Sequence, residues 1–430
     1  MRRACSPPGR GERYSIAYFG IMPLGPVDRA SPTPEAWISR DGVLIASSAF
    51  FADLGYQGVT VLFPILLVLD LKLPAYDYGL LLALSFGVGS LFSLAGGWLA
   101  DRRGRKWVAL AGNALIPLMS VSVLFPDLYL VGGLFVLGWW ARYFRTPARR
   151  AWLADLTAPP VRSRVFGFLH ALDVGGGLLA VTYSVALVLL GVPIREIVLL
   201  TLIPLVISTL VLLPVRPGPH DKNPPVPAPP PAPRGTSGGS PPGSPVPLFQ
   251  GLLVAATLFG FSYYAFGFPI LTVSESTGSI PLGMLTFGIY LGVSGVAGYF
   301  LGKTQGGRPL RTLWSLGYLL AAVSSLGLAL SYLTHSNLAL FYLAAAGLGF
   351  ATGSVETFEP VLVATWVRAS GLSKGMGWLS SSRAIGLLVS NVVVGILFTV
   401  GQAYAYAFAF ATALAAGTLL WSLQRRSQEP

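Results

Sequence analysis

Long apolar stretches divide the chain, each interrupted by short polar or glycine-proline punctuation, and their length is the first clue to the fold. A helix rises about 1.5 Å per residue, so roughly 20 apolar residues cross a hydrocarbon core of ~30 Å. On that ruler the pattern predicts membrane-spanning helices over 42–69, 77–100, 107–125, 128–145, 164–190 and 196–214. A second set follows over 248–272, 281–301, 312–333, 338–366, 375–398 and 402–423. The sets are separated by RPGPHDKNPPVPAPPPAPRGTSGGSPPGSPVP at 216–247, whose Pro, Gly and Ser content cannot build a packed core and reads as a solvated linker. The expected organisation is a flexible tail at 1–41, a six-helix bundle at 42–215, the linker at 216–247, a second six-helix bundle at 248–423 and a short tail at 424–430. The run YSIAYFGIMPLG in the first tail is short and broken by Gly and Pro, which makes it a weak cleaved signal peptide and favours a flexible cytoplasmic tail, and Met22 is an alternative start.

Composition supports this division. Hydrophobic residues make up 53% of the 430 positions and charged residues only 11%, against about 25% charged in soluble domains. So few charges cannot cover the surface of a water-soluble protein of this size. The fold class expected is therefore an all-α membrane protein of twelve transmembrane helices in two six-helix bundles.

The net charge of +12 changes the picture only through its distribution. With the N-terminus inside, the cytoplasmic segments hold 26 of the 29 basic residues and the external loops two, Lys72 and Arg195, while Arg383 lies within a span. Positive charge concentrates on the cytoplasmic side of membrane proteins, so both termini and the linker are expected in the cytoplasm, with the chain multi-pass in the inner (plasma) membrane. No nucleic-acid motif accompanies the charge. A single cysteine, Cys5, excludes a disulfide framework within the chain, and His170, His220 and His335 are too scattered for a metal site. No GxxxxGK[ST] loop, Ser-His-Asp pattern or HExxH occurs, so neither ATP-driven transport nor intramembrane catalysis is supported, and no cofactor is expected.

The loops after the second and eighth spans resemble one another. GGWLADRRGRKWVAL (96–110) and GYFLGKTQGGRPLRTLW (298–314) share glycine, an apolar stretch, then glycine with basic residues, and the second lacks the Asp-Arg pair. This faint repeat fits a duplicated transporter. In the first copy, Gly97, Asp101, Arg102, Gly104, Arg105 and Lys106 resemble the signature loop of the major facilitator superfamily between helices two and three. The stretch RTPARRAWLADLTAPPVRSRVFGFLHALDVGGG (145–177) resembles the fourth-to-fifth helix region of a bacterial and archaeal branch of it. The resemblance implies two bundles, alternating access, and a cytoplasmic latch in which Asp101 and its arginines meet Arg142 or Arg145 and the start of helix eleven near Gly375. It implies no substrate. The chain departs from the pattern where Ala180-Val181 replaces the Gly-Pro of drug antiporters, and where Trp139 and Trp140 occupy the region of the fourth-helix arginine, for which Arg142 can stand in.

Ionisable groups inside a span cost roughly 2.5–3.5 kcal/mol each on insertion scales, which makes them the first candidates for function. Asp53 lies roughly 16 Å into the first helix, with Tyr56 and Gln57 on the same face. Asp173 sits at similar depth in the fifth, one turn beyond His170, and neither aspartate has an evident cationic partner in its own half apart from His170. Glu356 and Glu359 share a face of the tenth helix at a depth matching Arg383 in the eleventh, so a salt bridge between these helices is expected. Each group has a structural reading, as a fixed interhelical contact, beside the functional one.

The expectation is a secondary transporter that moves a small solute by rocking two bundles around a midplane site, coupled to protons through buried carboxylates. An uncoupled uniporter and a non-transporting sensor or scaffold that kept the fold are the alternatives. The partners expected are the solute, protons and the bilayer, with the chain acting as a monomer.

Overall fold

Helix starts are written into the sequence. Ser39 accepts a 3.1 Å hydrogen bond from the backbone N–H of Gly42, and Asp41 in the first turn complements the helix dipole, so α1 begins at Arg40. Asp127 accepts from the N–H of Leu130 at 2.8 Å and starts α4. Gly104 lies between α2 and α3 at φ 103°, a left-handed conformation in which a side chain would strain, which lets the two helices meet across one residue.

The structure, a computed structural model, describes residues 38–157, 162–218, 246–262, 265–303, 309–335, 337–366 and 372–426. Among them there is no strand. The helices are α1 (Arg40–Asp70), α2 (Ala75–Arg103), α3 (Arg105–Leu124), α4 (Leu128–Asp155), α5 (Arg162–Leu189) and α6 (Ile194–Leu212). They continue as α7 (Leu248–Thr277, described on either side of 263–264), α8 (Ile280–Lys303), α9 (Pro309–Leu333), α10 (Leu338–Trp366), α11 (Leu372–Val400) and α12 (Gln402–Arg426). Eleven of these are long and apolar enough to cross a membrane. The other, α4, is 28 residues long but carries Arg142, Arg145, Arg149 and Arg150. The span predicted from the pattern ends at 145, short of Arg149 and Arg150, with all four arginines counted as cytoplasmic; the helix instead runs to Asp155 and carries all four. The linker between 219 and 245, the tail at 1–37, Cys5 and His220 lie outside the described residues.

The helices pair in a repeating pattern. In the first half α1 packs on α5 and α6, and α4 on α2 and α3; in the second, α7 packs on α11 and α12, and α10 on α8 and α9. Adding six to each number of the first half gives the second. The two large contacts between halves, α2 with α11 and α5 with α8, are also exchanged by that operation. Large apolar side chains such as Leu91, Leu94 and Val296 stand exposed, as a lipid-facing surface requires. At the α2–α3 corner, Arg102 lies 4.0 Å from the Trp98 ring and Lys106 5.9 Å from Trp107, pairing cations with interfacial aromatics.

Candidate functional site

Asp53, Tyr56 and Gln57 recur at helical spacing on α1, so they share one face. Gly176 lets α5 approach that face closely: a Cβ there would lie 2.4 Å from the carbonyl oxygen of Phe50 and 3.1 Å from Cβ of Asp53. Asp53 and Tyr56 are buried. The Tyr56 hydroxyl donates to Oδ1 of Asp53, and Arg142 of α4 donates to that hydroxyl at 3.0 Å. The Arg142 guanidinium lies 4.4 Å from the Tyr56 ring and 4.9 Å from that of Trp139. Oδ2 of Asp53 and Nε of Arg142 are buried without a hydrogen-bond partner among the described residues.

Asp173 also meets a cation. Arg149 approaches it at 3.7 Å and is itself buried. Both aspartates thus lie beside arginines of α4, where the sequence reading finds only His170. The reason is the length of α4: the span predicted over 128–145 ends before Arg149, and its basic residues are counted there as cytoplasmic, whereas the helix carries both Arg142 and Arg149. His170 is exposed and lines an open cavity of about 540 Å³ with Arg150 and Asp173.

Arg145 is fully buried and donates to Oδ1 of Asn113, whose amide nitrogen donates to Ser208 at 3.1 Å and Thr209 at 2.7 Å. It joins α3, α4 and α6. In the signature loop, Arg105 bridges Asp101 at 3.2 Å and Asp155 at 2.5 Å. Lys106 donates to the carbonyls of Leu213 and Val215 at 3.0 and 2.6 Å, capping the end of α6. A Cβ on Gly97 would lie 3.7 Å from Cβ of Pro147, so α2 and α4 run close there. Of the latch residues named from the sequence, Arg142 and Arg145 are engaged with Tyr56 and Asn113, and Asp155 reaches Arg105 instead. The expected contact near Gly375 falls where side chains are not described, as do Arg164, Phe166 and Gly167 of the stretch 145–177 that resembles the superfamily branch.

In the second half Arg383 of α11 pairs with both Glu356 and Glu359 of α10. Glu359 is wholly buried and also accepts a 2.6 Å hydrogen bond from the Tyr318 hydroxyl. Tyr318 stacks on Phe259 with ring centroids 4.3 Å apart.

Between these clusters lies a cavity of about 260 Å³ lined by α1, α2, α4, α7, α8 and α11. Gln57, Thr60 and Arg142 supply its polar groups from the first half; Phe266, Phe287 and Tyr290 supply aromatic rings from the second. Tyr318, Asn113, Arg149 and Asp155 carry these arrangements and were not singled out as functional candidates from the sequence. The signals for the α4 residues are the resemblance of 145–177 to a branch of the superfamily, which includes Arg149 and Asp155, and the recurrence of Arg142, Arg145 and Arg149 at three- and four-residue spacing.

The family described as the Major Facilitator Superfamily matches residues 45–334. No curated protein matches the chain in sequence. Among solved structures, the chain is similar to a POT family transporter in complex with 5-aminolevulinic acid, at TM-score 0.72 and 13% identity over 91% of this chain and 97% of that one. It is similar to the nucleoside transporter NupG at TM-score 0.68 and 11% identity, covering 90% and 99%. It is also similar to a bacterial homolog of the human lysosomal transporter Spinster, in an inward-facing and occupied conformation, at TM-score 0.65 and 17% identity, covering 89% and 96%. At these identities the likeness is one of fold.

Proposed function

The chain belongs to the Major Facilitator Superfamily, and from that premise we propose that this multi-pass membrane protein is a secondary active transporter of a small solute, driven by protons and working by alternating access between two six-helix bundles. The observation that supports this most is the cavity between the two halves, to which helices from both contribute polar and aromatic side chains. At about 260 Å³ it is below the roughly 300–1,000 Å³ of drug-sized ligand sites and suits a small metabolite. The six-helix shift in packing, with exchangeable contacts between halves, is the symmetry that lets one cavity open alternately to either side.

In this reading Gln57 and Arg142 contact the solute, Asp53 is the preferred proton site and Asp173 the second. Asp53 is buried beside the cavity and reaches it through Tyr56 and Arg142, so its charge state is felt where the solute binds. Glu356, Glu359 and Arg383 hold α10 to α11, and the cluster around Arg105 biases conformation from the end of α2. The positive-charge distribution supports a cytoplasmic position for both termini.

The test is a thermal-shift screen of purified protein against a panel of metabolites, with each stabilising compound then followed in proteoliposomes. Saturable counterflow of a hit supports transport. Binding of hits with no flux in any direction of gradient would favour a sensor.

A further inference from the structure

Arg142 is the only charged group among the described residues lining the central cavity. Its one hydrogen bond to the described residues goes to a neutral hydroxyl, that of Tyr56, and its Nε is buried with no partner. Arg142 reaches the nearest carboxylate, that of Asp53, only through this hydroxyl, and a buried cation with no direct anionic contact is costly. Arg149 and Arg383, by contrast, face carboxylates directly. The cavity therefore holds a guanidinium with donor capacity to spare.

The rest of the lining restricts what can use it. Phe266 and Tyr290 stack with centroids 4.3 Å apart, and Phe287 lies 5.7 Å from Phe266, so the second half offers a wall of aromatic faces. Phe86 and Trp139 extend that apolar surface from the first half. One end of the site is thus cationic and polar; the other suits an apolar or aromatic body.

Resting on the reading of this cavity as the solute site, we propose that the solute is a small monocarboxylate with an aromatic or branched apolar body, its carboxylate on Arg142 and its body against Phe266, Phe287 and Tyr290, and that it binds together with one proton on Asp53. The proton follows from charge counting. Asp53 and Arg142 are joined through Tyr56. A second carboxylate on Arg142 would leave two negative groups sharing that cation, and a proton on Asp53 removes one of them. The charged and titratable groups facing Asp53 are Tyr56 on its own helix, Arg142, Arg145 and Arg149 on α4 and Asp173 on α5, and Arg145 is directed onto Oδ1 of Asn113. Arg149 already faces Asp173, so it does not take over the neutralising role of Arg142. A solute lying across both halves also ties its own binding to their relative rotation.

The experiment uses detergent-purified full-length protein and three probes of one shape: 3-phenylpropionate, 3-phenylpropanamide and 2-phenylethylammonium. Calorimetric titration is expected to show the carboxylate binding at least tenfold more tightly than the amide and the ammonium not at all. Its affinity should fall by about tenfold per pH unit once Asp53 ionises, the slope of one linked proton, with proton uptake seen by an indicator dye. Arg142→Gln should erase the preference for the carboxylate and Arg142→Lys retain part of it. Asp53→Asn should keep carboxylate binding and flatten its pH profile. Equal or tighter binding of the amide or ammonium overturns the proposal, as does failure of a panel of aromatic and branched monocarboxylates to bind wild-type protein. Because binding is read without flux, carboxylate binding with no transport would sink the transporter reading alone, and transport of a neutral or cationic solute would sink only this one.

Discussion

Arg383 and Glu359 form an ion pair between α11 and α10 in which the carboxylate is wholly buried and also held by the Tyr318 hydroxyl. Glu356, the second partner of the same arginine, has a side chain 55% exposed. Burial decides what each is worth. Removing one partner of a buried pair strands a charge and costs roughly 3–5 kcal/mol, whereas an exposed pair is worth about 0–1 kcal/mol. Arg383→Ala is therefore expected to lower the thermal midpoint in detergent sharply. Adding Glu359→Gln should restore part of the loss, and adding Glu356→Gln little. A Glu359→Gln double variant no more stable than the single would mean that this pair does not hold the two helices.

The cluster at the end of α2 calls for the opposite signature. Asp101 is exposed, and Arg105 links it to Asp155 on α4 near the surface. The exposed contact to Asp101 contributes little to stability, the largely buried one to Asp155 contributes more, and both can bias a conformational equilibrium. Asp101→Asn is expected to shift the thermal midpoint only slightly and Asp155→Asn more, and both to leave solute binding intact while slowing transport at least several-fold. Normal flux in both variants would show that the signature loop gates nothing here.

The spans were legible because their signal, a long apolar run between polar breaks, is local. The ends of most helices fall within a few residues of the pattern. α4 was not, because Arg142, Arg145 and Arg149 break the apolar run although the helix continues around them; partners on α1, α3 and α5 tolerate what lipid would not. For the same reason the sequence offers Asp53 and Asp173 as buried carboxylates but not the arginines beside them. The pairing of Arg383 with Glu356 and Glu359 could be posed from matched depths on adjacent helices. Tyr318 could not, since nothing in its own stretch marks it among the 17 tyrosines of the chain.

The contact between halves at α2 and α11 leaves no room for side chains. A Cβ on Gly79 would lie 2.4 Å from the carbonyl oxygen of Asn391 and 2.8 Å from Cα of Gly395. If alternating access opens this contact, Gly79→Leu should favour the arrangement in which it is open. A cysteine at Tyr76, whose N–H donates to Thr399 at 3.1 Å, should then be modified several-fold faster in the Gly79→Leu background than in wild type. Unchanged or slower labelling, with the protein folded, would argue that α2 and α11 never separate.

Orientation is open to direct labelling. Cys5 is the single native cysteine, so a Cys5→Ser background gives a clean reporter. A cysteine at Ser237 is expected to react with an impermeant maleimide only in inside-out vesicles, and one at Lys72 only in intact cells. The reverse pattern would invert the topology inferred from the basic residues.

Coupling is the sharpest test of the aspartates. Asp53 joins the cavity through Tyr56 and Arg142, whereas Asp173 is held by Arg149 beside a separate open cavity with His170. If a proton on Asp53 is required each time the loaded carrier turns over, neutralising this position should uncouple transport without abolishing it. In proteoliposomes loaded with a solute from the binding screen, an imposed pH gradient is expected to drive uphill accumulation by the wild type. Asp53→Asn should still exchange labelled for unlabelled solute yet cease to accumulate it against a gradient. Asp173→Asn should keep accumulation at a reduced rate, because it removes a partner of Arg149 rather than the group linked to the cavity. The roles would be exchanged if Asp173→Asn loses accumulation and Asp53→Asn keeps it. Wild-type flux indifferent to the pH gradient, with both variants behaving normally, would end proton coupling through either residue and leave a uniporter or a sodium-linked carrier in its place.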